Sequence, residues 1–262
     1  MFGMNIGKLG VLRKAAAAFS PAKLFSSGEQ GIWLDCSDLS TMFQDSAGTT
    51  PVTADGQPVG LILDKSGNGN HASQATAAAR PLYKTDGTYH WLQFDGVDDS
   101  LSTVSFDMTL STKASLFFGF NKTTDTNPGW LFENLTLNAN GISVSQRGTN
   151  LEIGFKTQYE MNESIGPYSA PQKLSVSALF DPGNSNSQEK IGIRVNGTPI
   201  EGSLWNSATV GNFGNFPLNI GKRSDGYYLG FHLNSIVILG RQATTQEITD
   251  TETWVNSKTG AY

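Results

Sequence analysis

The chain of 262 residues is 38% apolar and only 16% charged, with 29 glycines and 10 prolines, a composition that suits one generous, turn-rich β domain. Its net charge of −5 gives no basic footprint for nucleic acid. No apolar run approaches the roughly 20 residues of a membrane-spanning helix, and the single cysteine, Cys36, leaves no intrachain disulfide.

Residues 1–25 contain Lys8, Arg13, Lys14 and Lys23 and no acid, so this arm is basic while the rest of the chain is acidic. Leu9, Val11, Leu12, Ala15 to Ala18 and Phe19 read as a short helix, which Ser20-Pro21 breaks or restarts. A secretory signal fits poorly, because Lys14 abuts an apolar run, Ala15 to Phe19, that is shorter than an h-region. The arm is therefore expected to stay on the chain and to dock onto a partner subunit through Lys8, Arg13, Lys14, Phe19 and Lys23; the alternative is a frayed terminus. Residues 1–28 are read as this docking arm, 29–57 as an extended lead-in and 58–262 as the main domain.

In the lead-in, Asp35-Cys36-Ser37-Asp38 forms a polar turn that Trp33, Leu39, Met42 and Phe43 can clamp onto a sheet. Cys36 has no basic neighbour to lower its pKa and reads as a small buried apolar group. Two strings then crowd acids and amides around glycines: Asp64-Lys65-Ser66-Gly67-Asn68-Gly69-Asn70-His71-Ala72 and Phe94-Asp95-Gly96-Val97-Asp98-Asp99. Glycine accepts the positive φ of tight turns while Asp and Asn bond nearby N–H groups, so both are rigid polar turns at strand ends. Their hard oxygens allow two cation sites, Asp64/Asn68/Asn70 or Asp95/Asp98/Asp99. The competing reading is that each carboxylate merely satisfies its own backbone. Asp95, Asp98 and Asp99 are the preferred metal set, since three carboxylates in five residues repel one another unless something neutralises them. His71 is expected to bond within its own turn.

Downstream the rhythm is period two. Leu116 to Phe120 is apolar throughout, as in a strand buried on both faces, whereas Leu151 to Phe155 and Leu174 to Leu179 alternate. Glu160 to Glu163 reads as a loop. Ile191 to Val195 runs into Asn196-Gly197, a strong hairpin signal. Phe216 to Lys222 and Leu233 to Leu239 supply further strands, about a dozen in all by this pattern. Thr244 with Glu247 forms a capping box ahead of Ile248, Thr251, Trp254 and Val255, predicting a C-terminal helix that ends near Gly260 and covers an edge or end of the sheets.

The strings D-x-S-G-N-G-N-H-A and F-D-G-x-D-D resemble the opening of concanavalin A-like, laminin-G-like jelly-roll domains. Arg194 to Gly197, Leu218 to Lys222, Gly226 to Gly230, Ile236 to Ile238 and Thr244 to Ile248 resemble their later hairpin and closing segment. The resemblance spans residues 58–250. It implies an all-β, two-sheet antiparallel sandwich with a short N-terminal helical arm and one C-terminal helix, and it does not select among lectins, glycosidases, adhesion modules and virion proteins. Gly31 to Asp45, then Pro51 to Thr53 and Gly56 to Val59, resembles a string of tailed-bacteriophage structural proteins, with Cys36 standing where proline usually does. In this superfamily a calcium ion often lies near one end of the sandwich, bound by Asp and Asn oxygens.

Those resemblances imply a virion structural protein assembled in the host cytoplasm, at the tail tip or baseplate ahead of the capsid surface. Its partners would be tail, baseplate or head subunits and host-surface polysaccharide, and it would stand in multiple copies per particle. The alternative is a free carbohydrate-binding protein or glycan hydrolase of the same fold. Hydrolysis is disfavoured because the E-x-D-x-(x)-E string of the glucanase branch is missing and Glu152, Glu160 and Glu163 do not share one face of a strand. A lectin-type site needs an aromatic platform and a few polar groups. Trp130, after Thr126 to Gly129, and Tyr227 and Tyr228, after Ser224-Asp225-Gly226, are the candidates, with Asp225 as their polar partner. A core position competes for Trp130, and Tyr227 and Tyr228 are expected to straddle a strand with one ring inside. Trp91, Trp205 and Trp254 read as core or helix packing.

Overall fold

The computed structural model describes residues 18–126, 128–134, 141–156, 160–186, 189–201, 203–205 and 212–262. Lys8, Arg13, Lys14 and the helix expected before Ser20 lie outside them. Two antiparallel sheets, one of eight strands and one of ten, stack face to face. Phe118, Phe120, Phe132, Phe155, Phe180 and Phe231 fill the space between them, with rings meeting mostly edge to face.

The apolar run around Phe118 lies in the strand Ala114–Lys122, at the middle of the eight-stranded sheet between Gln172–Phe180 and Gly230–Leu239. It is buried on both sides, as its pattern predicts. Phe118 and Phe120 face the other sheet, while Phe117, Val237 and Leu239 face outward into a second core with Leu24, Phe25, Trp33 and Val255. The C-terminal helix Thr245–Thr259 supplies that outer cover. It lies across the sheet's outer face rather than at an edge or end, because outward-pointing Phe117 and Val237 are what need shielding from water. Thr244 and Glu247 make the predicted capping box and Gly260 ends the helix at φ 63°. Glu252 ties the helix down, accepting from Ser177 Oγ at 2.5 Å and Arg194 Nε at 2.7 Å.

The lead-in is part of the sandwich. Gly31–Asp35 pairs with Ser235–Leu239, and Met42–Phe43 is an edge strand of the ten-stranded sheet. Upstream, Ser20 caps a short 3-10 helix, Pro21–Phe25, whose Leu24 and Phe25 sit in the second core. Phe19 packs against that same core and Lys23 lies over its ring at 5.9 Å. Of the expected docking arm, then, the portion from Phe19 onward is engaged with this chain's own body.

The strand assignments change as well. Glu160–Ile165 is a strand rather than a loop, paired with Leu151–Lys156. A glutamate at an inward position, Glu163, disguises its alternation. Phe216 to Lys222 divides into Asn215–Phe216 and Asn219–Ile220 around Pro217, which has no N–H for a ladder. Short strands such as these raise the number above a dozen. The Asn196-Gly197 hairpin forms as read, with φ of 50° and 74°. Among the described residues no helix is long and apolar enough to cross a membrane.

Candidate functional site

One end of the sandwich gathers the loop residues 95–100, 123–126 with 128–129, and 221–229. They are packed too closely for ordinary side chains at two points. A Cβ on Gly129 would lie 2.6 Å from Tyr228 O, and one on Gly221, at φ 86°, would lie 2.6 Å from the Phe94 ring and 2.9 Å from Asp99 O. Glycine at these positions brings the predicted residues of all three loops together.

Trp130 begins this site. The strand Gly129–Asn134 shifts register between Trp130 and Phe132. The bulge leaves Leu131 and Phe132 in the core and Trp130 half-buried on the outside, against the core alternative. Its ring centre lies 5.8 Å from that of Tyr227, the planes inclined by 58°. The Arg223 guanidinium is 4.5 Å from the Trp130 ring centre and 4.1 Å from that of Tyr227, a cation–π contact to both. Asp225 fixes the guanidinium with a two-point fork: Nε donates to Oδ1 and Nη2 to Oδ2, the latter at 2.5 Å. Beneath the turn Glu133 is buried and accepts the Ser224 N–H at 2.5 Å. Burial is the main cause that raises its carboxyl above the usual range. Tyr227 keeps 49% of its surface exposed, with Arg223 over one face of its ring, and is the most exposed aromatic of the group.

Neither tyrosine ring is inside, contrary to expectation, because the two residues lie in a loop and not in a strand; Tyr228 is half-buried. It lines a cleft of about 500 Å³ with Asp95, Gln93, Thr123, Thr124 and His232. The structure thus unites Trp130, Tyr227 and Asp225 in one cluster and places Tyr228 and Asp95 in the adjoining cleft. Arg223 and Glu133 were missed by the sequence reading. The available signal was an arginine two residues before Asp225, within reach of an aromatic pair.

Asp95, Asp98 and Asp99 offer carboxylate oxygens within 4.8 Å of one another, a set of hard ligands suited to calcium. Asp95 Oδ1 also accepts the N–H groups of Val97, Asp98 and Asp99 at 2.8, 3.3 and 3.3 Å, and Asp99 Oδ2 accepts that of Asp95 at 3.0 Å. Burial, then the charge of Asp95, pushes the Asp99 carboxyl up to about 6. The other candidate set is consumed by the fold. The Asp64 carboxylate accepts from Trp33 N, Ser66 N, Ser66 Oγ and Asn70 N at 2.7–2.9 Å. Asn68 and Asn70 donate to Gly31 O, and His71 Nδ1 accepts the Asp64 N–H at 3.0 Å. That loop therefore clamps the lead-in strand, the backbone-bonding alternative. Cys36 is fully buried, and burial pushes its thiol far up, which removes the nucleophile.

No protein-family model and no curated protein matches the chain. Among solved structures it is similar to the binding domain of botulinum neurotoxin DC in complex with SialylT, at 12% identity and a TM-score of 0.55 over 74% of this chain and 48% of that one. The same domain in complex with rat synaptotagmin II gives 11% identity, a TM-score of 0.54 and coverage of 74% and 49%. A botulinum neurotoxin type C structure, described as dependent on two ganglioside molecules for cell entry, gives 12%, 0.54 and coverage of 74% and 48%. The chain spans about half the length of the structures it matches. At this identity the likeness speaks for the fold, which is a concanavalin A-like β-sandwich of two antiparallel sheets with one C-terminal helix.

Proposed function

We propose that the chain is a virion protein of a tailed bacteriophage, displayed in multiple copies at the tail tip or baseplate, whose sandwich holds host-surface polysaccharide at the loop-bearing end. The observation that carries the sugar-binding part is the Trp130–Arg223–Tyr227 stack beside the cleft of about 500 Å³. A concave site with an aromatic face and convergent polar groups suits a ligand that is apolar on its ring faces and hydroxylated at its rim. The proposal is binding rather than hydrolysis. Asp225 is held in the fork of Arg223, Glu133 takes the Ser224 N–H, and Asp95 caps its own turn, so these carboxylates are engaged in building the site. The particle assignment is supported by the lead-in string Gly31 to Asp45 and by the basic arm. Multiple copies would raise the effective concentration of a weak single site.

Two measurements test the two parts. A glycan array probed with the wild-type chain and the Tyr227→Ala variant, each free and clustered, tests recognition; wild-type protein that binds nothing in either form ends that reading. Deletion of residues 1–17 tests assembly, sparing Leu24 and Phe25 of the second core. The truncated chain should fold and be absent from purified particles, and normal incorporation would overturn the arm's role.

A further inference from the structure

A smaller pocket, of about 210 Å³, opens on the outer face of the eight-stranded sheet. Its lining includes Trp91, Asn121, His232, Asn234, Lys173 and Asp86. Sheet register explains the gathering. In His90–Asp95, Leu92 and Phe94 point into the core, so Trp91 and Gln93 point out; His232 stands opposite both Gln93 and Asn121, and Lys173 stands opposite Asn121. Trp91, read from sequence as core or helix packing, instead stacks on His232 with ring centres 5.3 Å apart and planes at 21°.

One polar atom of this pocket lacks the partner its burial calls for, and the others stand open to the cavity. Trp91 Nε1 is buried with no hydrogen-bond partner among the described residues. The Asn121 amide and both His232 ring nitrogens make no hydrogen bond to the described residues either, whereas Asn234 Nδ2 donates to His90 O and so leaves Oδ1 turned from that bond. Burial lowers the His232 pKa, so the ring is neutral near pH 7 and offers one donor and one acceptor. Buried polar atoms in native structures are almost always satisfied, so the orphaned Trp91 Nε1 at the wall of a cavity that Asn121, Asn234 and His232 also line points to a polar molecule in that cavity. At the rim stand one cation and one anion: Lys173 lies 4.1 Å over the Tyr89 ring, and Asp86 Oδ1 accepts the Thr88 and Tyr89 N–H groups. The fitting occupant is small, uncharged and rich in hydroxyls.

We propose that this pocket is a second saccharide subsite. It takes one uncharged pyranose of a chain whose neighbouring unit lies in the end cleft, and His232, which lines both, is the shared wall. Trp91 Nε1 donates to a ring hydroxyl, Asn121 and Asn234 bracket it, and His232 supplies a donor and an acceptor. The inference rests on the sugar-binding reading of the cleft and adds to it a direction, along the outer face of the sheet, and a preference for oligosaccharides.

The five tryptophans give separate reporters. Indole N–H resonances of 15N-labelled protein, assigned with Trp91→Phe and Trp130→Phe, would be followed while glucose, galactose, rhamnose, N-acetylglucosamine and N-acetylgalactosamine are titrated. The expected result is a sugar that shifts the Trp91 indole and binds about tenfold more weakly to Asn121→Ala, the loss of one or two hydrogen bonds. Sugars that move Trp130 and leave Trp91 unmoved overturn the second subsite while the cleft reading stands. Movement of Trp91 alone would leave a sugar in the pocket but overturn the proposal of one chain shared with the cleft. A panel that moves neither overturns both.

Discussion

Glu163 stands directly opposite Ile153 in the antiparallel pair, on the side of the sheet that faces the core, and is only 3% exposed. No hydrogen bond reaches its carboxyl from the described residues, and burial pushes it from the ordinary 4.5 up to about 7. The folded state thus holds this proton more tightly than the unfolded state. The resulting stability is fully present below about pH 4.5 and is lost as pH rises through about 7. Asp99, raised to about 6, acts in the same sense. Glu247, pushed down to about 2 chiefly by its hydrogen bonds to Arg241, acts oppositely, its contribution being lost only as pH falls toward 2. Unfolding free energies from urea titrations, taken with a chelator present, should therefore be higher in mild acid than at pH 8, by on the order of 2 kcal/mol. Glu163→Gln should remove about half of that slope, the rest belonging to Asp99, and a wild-type stability equal at both pH values would contradict the burial argument.

The Asp64 carboxylate accepts four hydrogen bonds, three of them from the backbone N–H groups of Trp33, Ser66 and Asn70, and Trp33 lies on a different segment from the other two. An amide at this position can accept at only one of its two heteroatoms, so Asp64→Asn leaves buried donors unpaired. The expected cost is about 2–4 kcal/mol in chemical unfolding, with the lead-in strand Gly31–Asp35 losing amide-exchange protection first. A variant as stable as wild type would show that the loop is no clamp.

The aromatic pair gives a functional counterpart. Tyr227 is half exposed and supports no core, so Tyr227→Ala should shift the melting temperature by less than about 2 °C while sugar affinity falls at least about tenfold. Arg223→Lys should not restore the site, because an ammonium cannot make the planar fork to Asp225 while lying against two rings. Affinity measured by calorimetry or array signal separates these outcomes, and full rescue by lysine would mean that charge alone suffices.

How far the chain could be read in advance follows from which physical rule set each residue's place. The alternating runs around Ile153, Val176 and Ile193, the Asn196-Gly197 turn and the Thr244–Glu247 box were legible because local geometry dictates them. Trp91 was misassigned because apolar character was weighed above register: its neighbours Leu92 and Phe94 face the core, which turns Trp91 outward. Glu163 hid a strand for the converse reason. The Arg223 stack was only half legible. Trp130 and Tyr227 could be singled out one at a time, but their meeting depends on a bulge and on close loop packing at Gly129, which no local pattern announces.

The Asp95–Asp98–Asp99 turn gives the last prediction, in which cation and proton compete. A calcium ion bound there would require Asp99 as a carboxylate, yet near pH 6 about half of it is protonated. Calcium should therefore raise the melting temperature more at pH 7.5 than at pH 5.5, and binding near pH 6 should release a fraction of a proton per ion. Magnesium should do less, since it demands near-octahedral geometry and dehydrates reluctantly. Asp99→Asn should abolish the calcium effect while itself stabilising the metal-free protein at neutral pH, because it removes a buried charge next to Asp95. If calcium leaves the transition unmoved at both pH values, the turn is held by its own N–H bonds to Asp95 Oδ1, and the three carboxylates are a solvated loop whose repulsion the raised Asp99 pKa already relieves.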